Sequence, residues 1–215
     1  MGFINKNAFW IATISCLVIL PLSACKKGKS DITIRGVITD ESFSTTLSGG
    51  TVTLLETEAG GGLINTIGET TLGADGSYSF TFPRNIVERY TLIVEKNNYF
   101  DINEDIPFSD VTIEEDNIRN YSTTALSWVK LRFINLSPLP NDILRYIRNE
   151  GKSDCLECCV GGEQFLYGAV DTAIYCANDG NTVYSYNYYD FVSGNQGLKS
   201  AVTQAFDTTE ILLNY

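Results

Sequence analysis

The chain has 215 residues, 44% of them hydrophobic, and a formal net charge of −11. That acidic balance excludes a nucleic-acid surface, whose phosphates need clustered Lys and Arg. No histidine is present, which removes the commonest general base, the usual partner of a Ser or Cys nucleophile, and the commonest metal ligand.

Residues 1–24 have the layout of an export signal. Lys6 supplies a basic start, and Ala8 to Leu22 is an apolar stretch of about 15 residues, too short to span a bilayer as a helix. Leu22-Ser23-Ala24-Cys25 follows and resembles the lipobox of bacterial lipoproteins. The resemblance implies cleavage before Cys25, a diacylglycerol group on its thiol and attachment to a membrane through that lipid. Lys26 rather than aspartate comes next, so the usual inner-membrane retention signal is absent and the outer membrane is the expected location. Lys26, Lys27 and Lys29 either touch anionic head groups, at roughly 1 kcal/mol each, or belong to a solvated tether.

After a tether over residues 25–31, a first β-rich unit is expected over 32–118. Ile32, Ile34 and Ile38 are in phase, as are Val52 and Leu54. The clearest strand is Ser77–Phe82, where Tyr78, Phe80 and Phe82 alternate with hydroxylated residues behind an Asp75-Gly76 turn signal. Tyr90, Leu92 and Val94 mark another strand. Gly60-Gly61-Gly62 reads as a loop, and the polar Asn117–Thr124 stretch reads as a connection between units.

The order Gly36-Val37-Ile38-Thr39-Asp40, Leu47 to Leu54, Ala74 to Phe80, Tyr90 to Val94 and Asn98-Tyr99 resembles the carboxypeptidase regulatory-like, or transthyretin-like, domain. Two departures stand out: Gly50 where that family usually has alanine, and Asn98 where it has glycine. The resemblance implies a seven-stranded Greek-key sandwich that serves as an accessory or spacer module. It covers under half of the chain.

The second unit, over 119–215, carries no sharp motif. Trp128–Asn135 alternates Val129, Leu131 and Phe133 with Trp128, Lys130 and Arg132. Ile143–Ile147 fits a strand or one helical turn, and Thr182–Phe191 and Glu210–Tyr215 fit strands. The fold class expected is all-β, two tandem small Greek-key sandwiches after a lipidated tether.

Four cysteines follow the lipobox: Cys155, Cys158, Cys159 and Cys176. An even count in an exported chain favours two disulfides. A bond between adjacent Cys158 and Cys159 is disfavoured by geometry, so Cys176 is expected to pair with one of those two. The C-x-x-C spacing also occurs in zinc and redox sites. Tyr184, Tyr186 and Tyr188 share one strand face and Tyr189 the other. They are candidate ligand contacts, with a core strand as the competing explanation. The acidic runs Asn103-Glu104-Asp105 and Glu114-Glu115-Asp116 lack calcium-loop spacing and read as solvated edges.

No cofactor, metal or catalytic residue is expected. The function expected is a non-catalytic lipoprotein binding a protein or glycan through its distal unit. A structural subunit of an outer-membrane uptake or assembly complex, and a carboxylate-dependent hydrolase, are the alternatives.

Overall fold

The computed structural model describes Gly2 and residues 31–215; the apolar segment, Cys25 and the lysines after it lie outside the described residues. The first unit contains β1 (Asp31–Asp40), β2 (Thr45–Thr46), β3 (Thr51–Glu58), β4 (Ile64–Thr71), β5 (Ser77–Pro83), β6 (Val87–Glu95), β7 (Ile102–Pro107), β8 (Asn117–Ile118) and β9 (Tyr121–Thr123). One sheet is built on β1, which pairs antiparallel with β5 and parallel with β8 and β9. The other is antiparallel in the order β4-β3-β6-β7.

Period-two patterning explains why the sheets face each other. In β5, Tyr78, Phe80 and Phe82 are buried while Ser77, Ser79 and Thr81 are exposed. In β6, Tyr90, Leu92 and Val94 turn inward. These residues meet Ile32, Ile34 and Ile38 of β1 and Val52 and Leu54 of β3 in one core. Fully burying each such side chain contributes about 1.5–3 kcal/mol, which makes the alternation a strong constraint on register. Asn98 has a φ of 63°, a left-handed backbone that asparagine tolerates better than most residues.

The second unit contains β10 (Leu126–Ile134), β11 (Ile143–Glu150), β12 (Glu163–Tyr167), β13 (Asp171–Asp179), β14 (Val183–Asp190), β15 (Gln196–Val202) and β16 (Thr208–Asn214). Here β10 pairs antiparallel with β13 and parallel with β16, opposite a sheet in the order β12-β11-β14-β15. Val129, Leu131 and Phe133 of β10 pack with Leu144, Tyr146, Tyr184 and Tyr186 of the opposing sheet in a second core. Both units therefore have the same connectivity. The first strand sits inside its sheet, the fourth main strand pairs with it antiparallel, and the last returns beside it in parallel. The expected all-β pair of sandwiches is observed, and the connectivity of the first unit is repeated in the second.

One expectation is corrected. The Asn117–Thr124 stretch is not a free connection. Ile34 faces Asn117 and Ile38 faces Tyr121 in the parallel pairing of β1 with β8 and β9. Asn117 is buried and its amide donates to the carbonyl of Thr33 at 3.0 Å. The polar composition misleads because these residues spend their polarity on backbone groups of an interior strand edge. Gly36 makes the pairing possible: a Cβ there would lie 1.7 Å from the carbonyl oxygen of Arg119.

The units abut with almost no spacer. Ala125 is fully buried and bridges Tyr99, the Leu126 N–H donates to the Asn98 carbonyl at 2.8 Å, and the Phe100 N–H donates to the Thr124 carbonyl at 3.1 Å. Phe206 stacks on Phe43, with ring centroids 5.9 Å apart, and meets Tyr99 edge-on at 5.5 Å. Lys152 Nζ sits 2.6 Å from Asp179 Oδ1 and 4.1 Å from the centre of the Phe100 ring. The Thr124 hydroxyl also donates to Asp179.

Limited proteolysis should therefore cut first in the exposed Gly60–Gly62 hairpin and spare 117–125. The Gly36→Ala variant should lose about 1–3 kcal/mol in denaturant melts, as overpacking does, and become cleavable at 117–123. Early cleavage of the wild type within 117–125 would contradict this pairing.

Candidate functional site

The four candidate tyrosines lie on β14, whose neighbours are β11 and β15. Alternation divides them. Tyr184 and Tyr186 point inward and are 1% and 0% exposed. The Tyr186 ring lies 5.6 Å from Phe133 and 5.9 Å from Tyr146, and its hydroxyl has no hydrogen-bond partner among the described residues. Burial pushes the Tyr184 phenol up to about 12 and that of Tyr186 higher still. These two residues are core and are withdrawn as ligand contacts, because no surface remains to touch a partner. Tyr188 is half-buried against the same core. Tyr189 is the one candidate that the strand turns to the outer face.

The outer face of this sheet holds a constellation built by register. Arg145 of β11 lies between Phe165 of β12 and Tyr189 of β14, and Tyr189 faces Gln196 of β15. The neighbouring row places Ile147 opposite both Glu163 and Asn187, with Leu198 beyond. Tyr167, across from Ile143, and Phe191, whose N–H donates to the Ile143 carbonyl, extend the face toward the end of the sheet. Phe165, Tyr167, Phe191 and Leu198 are all exposed.

The aromatic rings are held by contacts with one another and with a cation. Tyr189 and Phe191 meet edge-to-face at 4.8 Å, and Phe165 stacks on Tyr167 at 6.3 Å. The Arg145 guanidinium lies 5.8 Å from the Tyr189 ring and 6.0 Å from that of Phe191, and donates to Glu163 at 2.9 Å. Such cation–π contact and a carboxylate partner fix a long side chain in one orientation. A groove of about 440 Å³ runs between Arg145, Asn187, Tyr189, Gln196 and Leu198. Tyr189 was separable from its neighbours by alternation, but Arg145, Phe165, Tyr167 and Leu198 were missed. The alternating pair Phe165-x-Tyr167 was a strand signal that could have pointed to the same face.

The cysteines form Cys155–Cys158 and Cys159–Cys176 disulfides. This is one of the two pairings left open for Cys176, and it uses all the sulfur that a zinc site would need. The bridged loop lies along β13, where the Ala177 N–H donates to the Glu157 carbonyl at 2.8 Å. Among the described residues no group of three or more Cys, Asp or Glu side chains is placed to hold a metal ion. The acidic runs are engaged at the surface: Asp116 pairs with Arg35 at 3.2 Å, and Asp105 accepts from Thr91 at 2.7 Å.

No family model matches the chain, and no curated protein does. Among solved structures it is similar to the Bacillus anthracis TIE protein, with 15% identity and a TM-score of 0.35 over 86% of this chain and 34% of that one. It is similar to GBS52, the minor pilin of Streptococcus agalactiae, with 10% identity and a TM-score of 0.32 over 85% and 94% of the two chains. A DUF3823 family protein from Bacteroides uniformis matches with 9% identity and a TM-score of 0.32 over 83% of this chain and 100% of that one. The chain spans about a third of the length of the TIE protein. Similarities at these scores carry no argument, and the fold rests on the strand pairing above.

Two substitutions separate core from contact surface. Tyr186→Ala should cost about 3–5 kcal/mol in denaturant melts. Tyr186→Phe should be neutral or stabilising, because it removes only an unpaired buried hydroxyl. Tyr189→Ala should move the melting temperature far less than Tyr186→Ala. A folded, undestabilised Tyr186→Ala protein would contradict the assignment of Tyr186 to the core. Thiol titration of denatured, unreduced mature protein should find almost no free thiol among Cys155, Cys158, Cys159 and Cys176.

Proposed function

We propose that this chain is a non-catalytic lipoprotein held at the outer membrane through lipid on Cys25, whose distal sandwich binds a protein partner on the outer face of the β12-β11-β14-β15 sheet. The observation that carries the reading is the aromatic face around Arg145. Exposed Phe165, Tyr167 and Phe191 beside an oriented arginine are residue types enriched at protein interfaces, and with Leu198 they form one surface rather than scattered single side chains. The strand paths support a distal position. Chain direction carries β1 from Asp31 at one end to Asp40 at the junction, and β10 from Leu126 at the junction to Ile134 at the far end. A tether on Asp31 therefore leaves the aromatic face of the second unit away from the anchor.

A photo-crosslinking residue at Tyr167 in cells should capture a protein, while the same residue at exposed Ile118 in the first unit should not. With the partner in hand, Tyr189→Ala and Phe165→Ala should each weaken binding by about 1–3 kcal/mol. Crosslinking to no protein, with specific binding on a glycan array lost in Tyr189→Ala, would replace the protein partner by a glycan. Turnover by the purified chain, abolished by one Asp or Glu substitution, would defeat the non-catalytic reading. Cys25→Ala should leave the precursor unprocessed or release it from the membrane fraction.

A further inference from the structure

Three large apolar side chains, Leu63, Ile64 and Ile86, are exposed at the end of the first sandwich where β1 begins. The Glu58–Leu63 hairpin and the loop from β5 to β6 both lie there. Asp31 pairs with Pro83, Thr57 faces Ile64 across one strand boundary, and Glu58 faces Val87 across the other. The Glu58 N–H donates to the Leu63 carbonyl at 3.1 Å, and the Asn85 amide donates to both carboxylate oxygens of Glu56, at 3.1 and 3.0 Å. The first bond closes the hairpin, and the others tie the β5–β6 loop to β3, the strand from which that hairpin leaves. Leu63, Ile64 and Ile86 are 71%, 65% and 88% exposed; Leu63 and Ile64 lie at the start of β4 and Ile86 just before β6, strands two spacings, or about 10 Å, apart.

We infer that these three side chains are a membrane-docking tip: Leu63, Ile64 and Ile86 enter the interfacial layer of the bilayer that holds the lipid on Cys25. The inference rests on the anchor in the proposed function. The chain length outside the described residues favours a bilayer as the occupant. Asp31 is six residues beyond Cys25, so even a fully extended tether reaches only about 20 Å, and it leaves the sandwich at this tip. The second sandwich docks at the opposite end of β1, through Ser42, Tyr99 and Phe100, and leaves these side chains uncovered. Leucine and isoleucine are among the residues that transfer most favourably from water to a bilayer. Insertion beside an acyl anchor supplies a second attachment, which changes weak tethering into a fixed standing orientation.

The test uses the mature lipidated chain in vesicles of phosphatidylethanolamine and phosphatidylglycerol with brominated acyl chains. Ile86→Trp places a fluorescent reporter at the tip, and Trp128 of β10 in the distal unit is the built-in control. Because Ile86 lies on the surface, its replacement leaves the core intact. The expected result is flotation with the vesicles, a blue shift of the tip reporter's emission and several-fold stronger bromine quenching of it than of Trp128. Flotation without quenching of the reporter overturns the docking tip and leaves the anchor standing. A blue shift without bromine quenching assigns the tip to a protein contact and also overturns it. Failure to float overturns the anchor, and the docking tip falls with it.

Discussion

In each unit the last strand comes back to lie parallel to the first, and this closure is the constraint on which the rest of the molecule depends. Residues far apart in the chain must meet: Ile34 faces Asn117 and Leu131 faces Ile211. The first strand is thereby paired on both sides and its apolar face is driven into the core, with Ile34 and Leu131 both fully buried. Parallel pairing needs a long return path, and the intervening strands supply it, four of them in each unit forming the opposing sheet. The closure also demands room. Gly36 provides it in the first unit, because any side chain there would occupy the position of the Arg119 carbonyl.

Closure in turn sets the axis of the molecule. Since β1 and β10 are paired on both sides within their sheets, the chain enters each unit at one end and carries its direction to the other. The junction between them is not a flexible spacer. It combines backbone bonds from Asn98 and Thr124, the aromatic contact of Phe206 with Phe43 and Tyr99, and the cation of Lys152 between Phe100 and Asp179. Lys152 lies just before the disulfide-bridged loop, so the cross-links that restrain that loop also bear on the junction. Such a junction holds the two sandwiches end to end, with the start of β1 at one end and the end of β10 at the other.

Legibility followed the physics of alternation. Where apolar and polar residues alternate cleanly, as in Ser77–Phe82 and Trp128–Asn135, strand and inward face were both readable. The strands β4, β7 and β15 were not read, because they lie at sheet edges and leave most of their side chains in water, which blurs the apolar period. β13 was hidden differently: its edge is partly covered by the cysteine loop, so its burial follows no simple alternation. The tyrosine run shows the limit within a single element. Period two separates Tyr189 from Tyr184 and Tyr186, but it does not say which face is the core. That depends on the sheet packed opposite, with Phe133 and Tyr146 against Tyr186.

By itself the sequence determined the all-β class, the aromatic core strand of the first unit and the residues that could bridge as disulfides. These depend on local period, turn chemistry and composition, which act over a few residues. Only the tertiary structure decided that 117–123 is a closing strand, that the second unit repeats the connectivity of the first, and that Arg145, Phe165 and Tyr189 share a face. Each of those is a relation between segments tens of residues apart, created by strand register, and register exists only once the opposing sheet has chosen which face to bury.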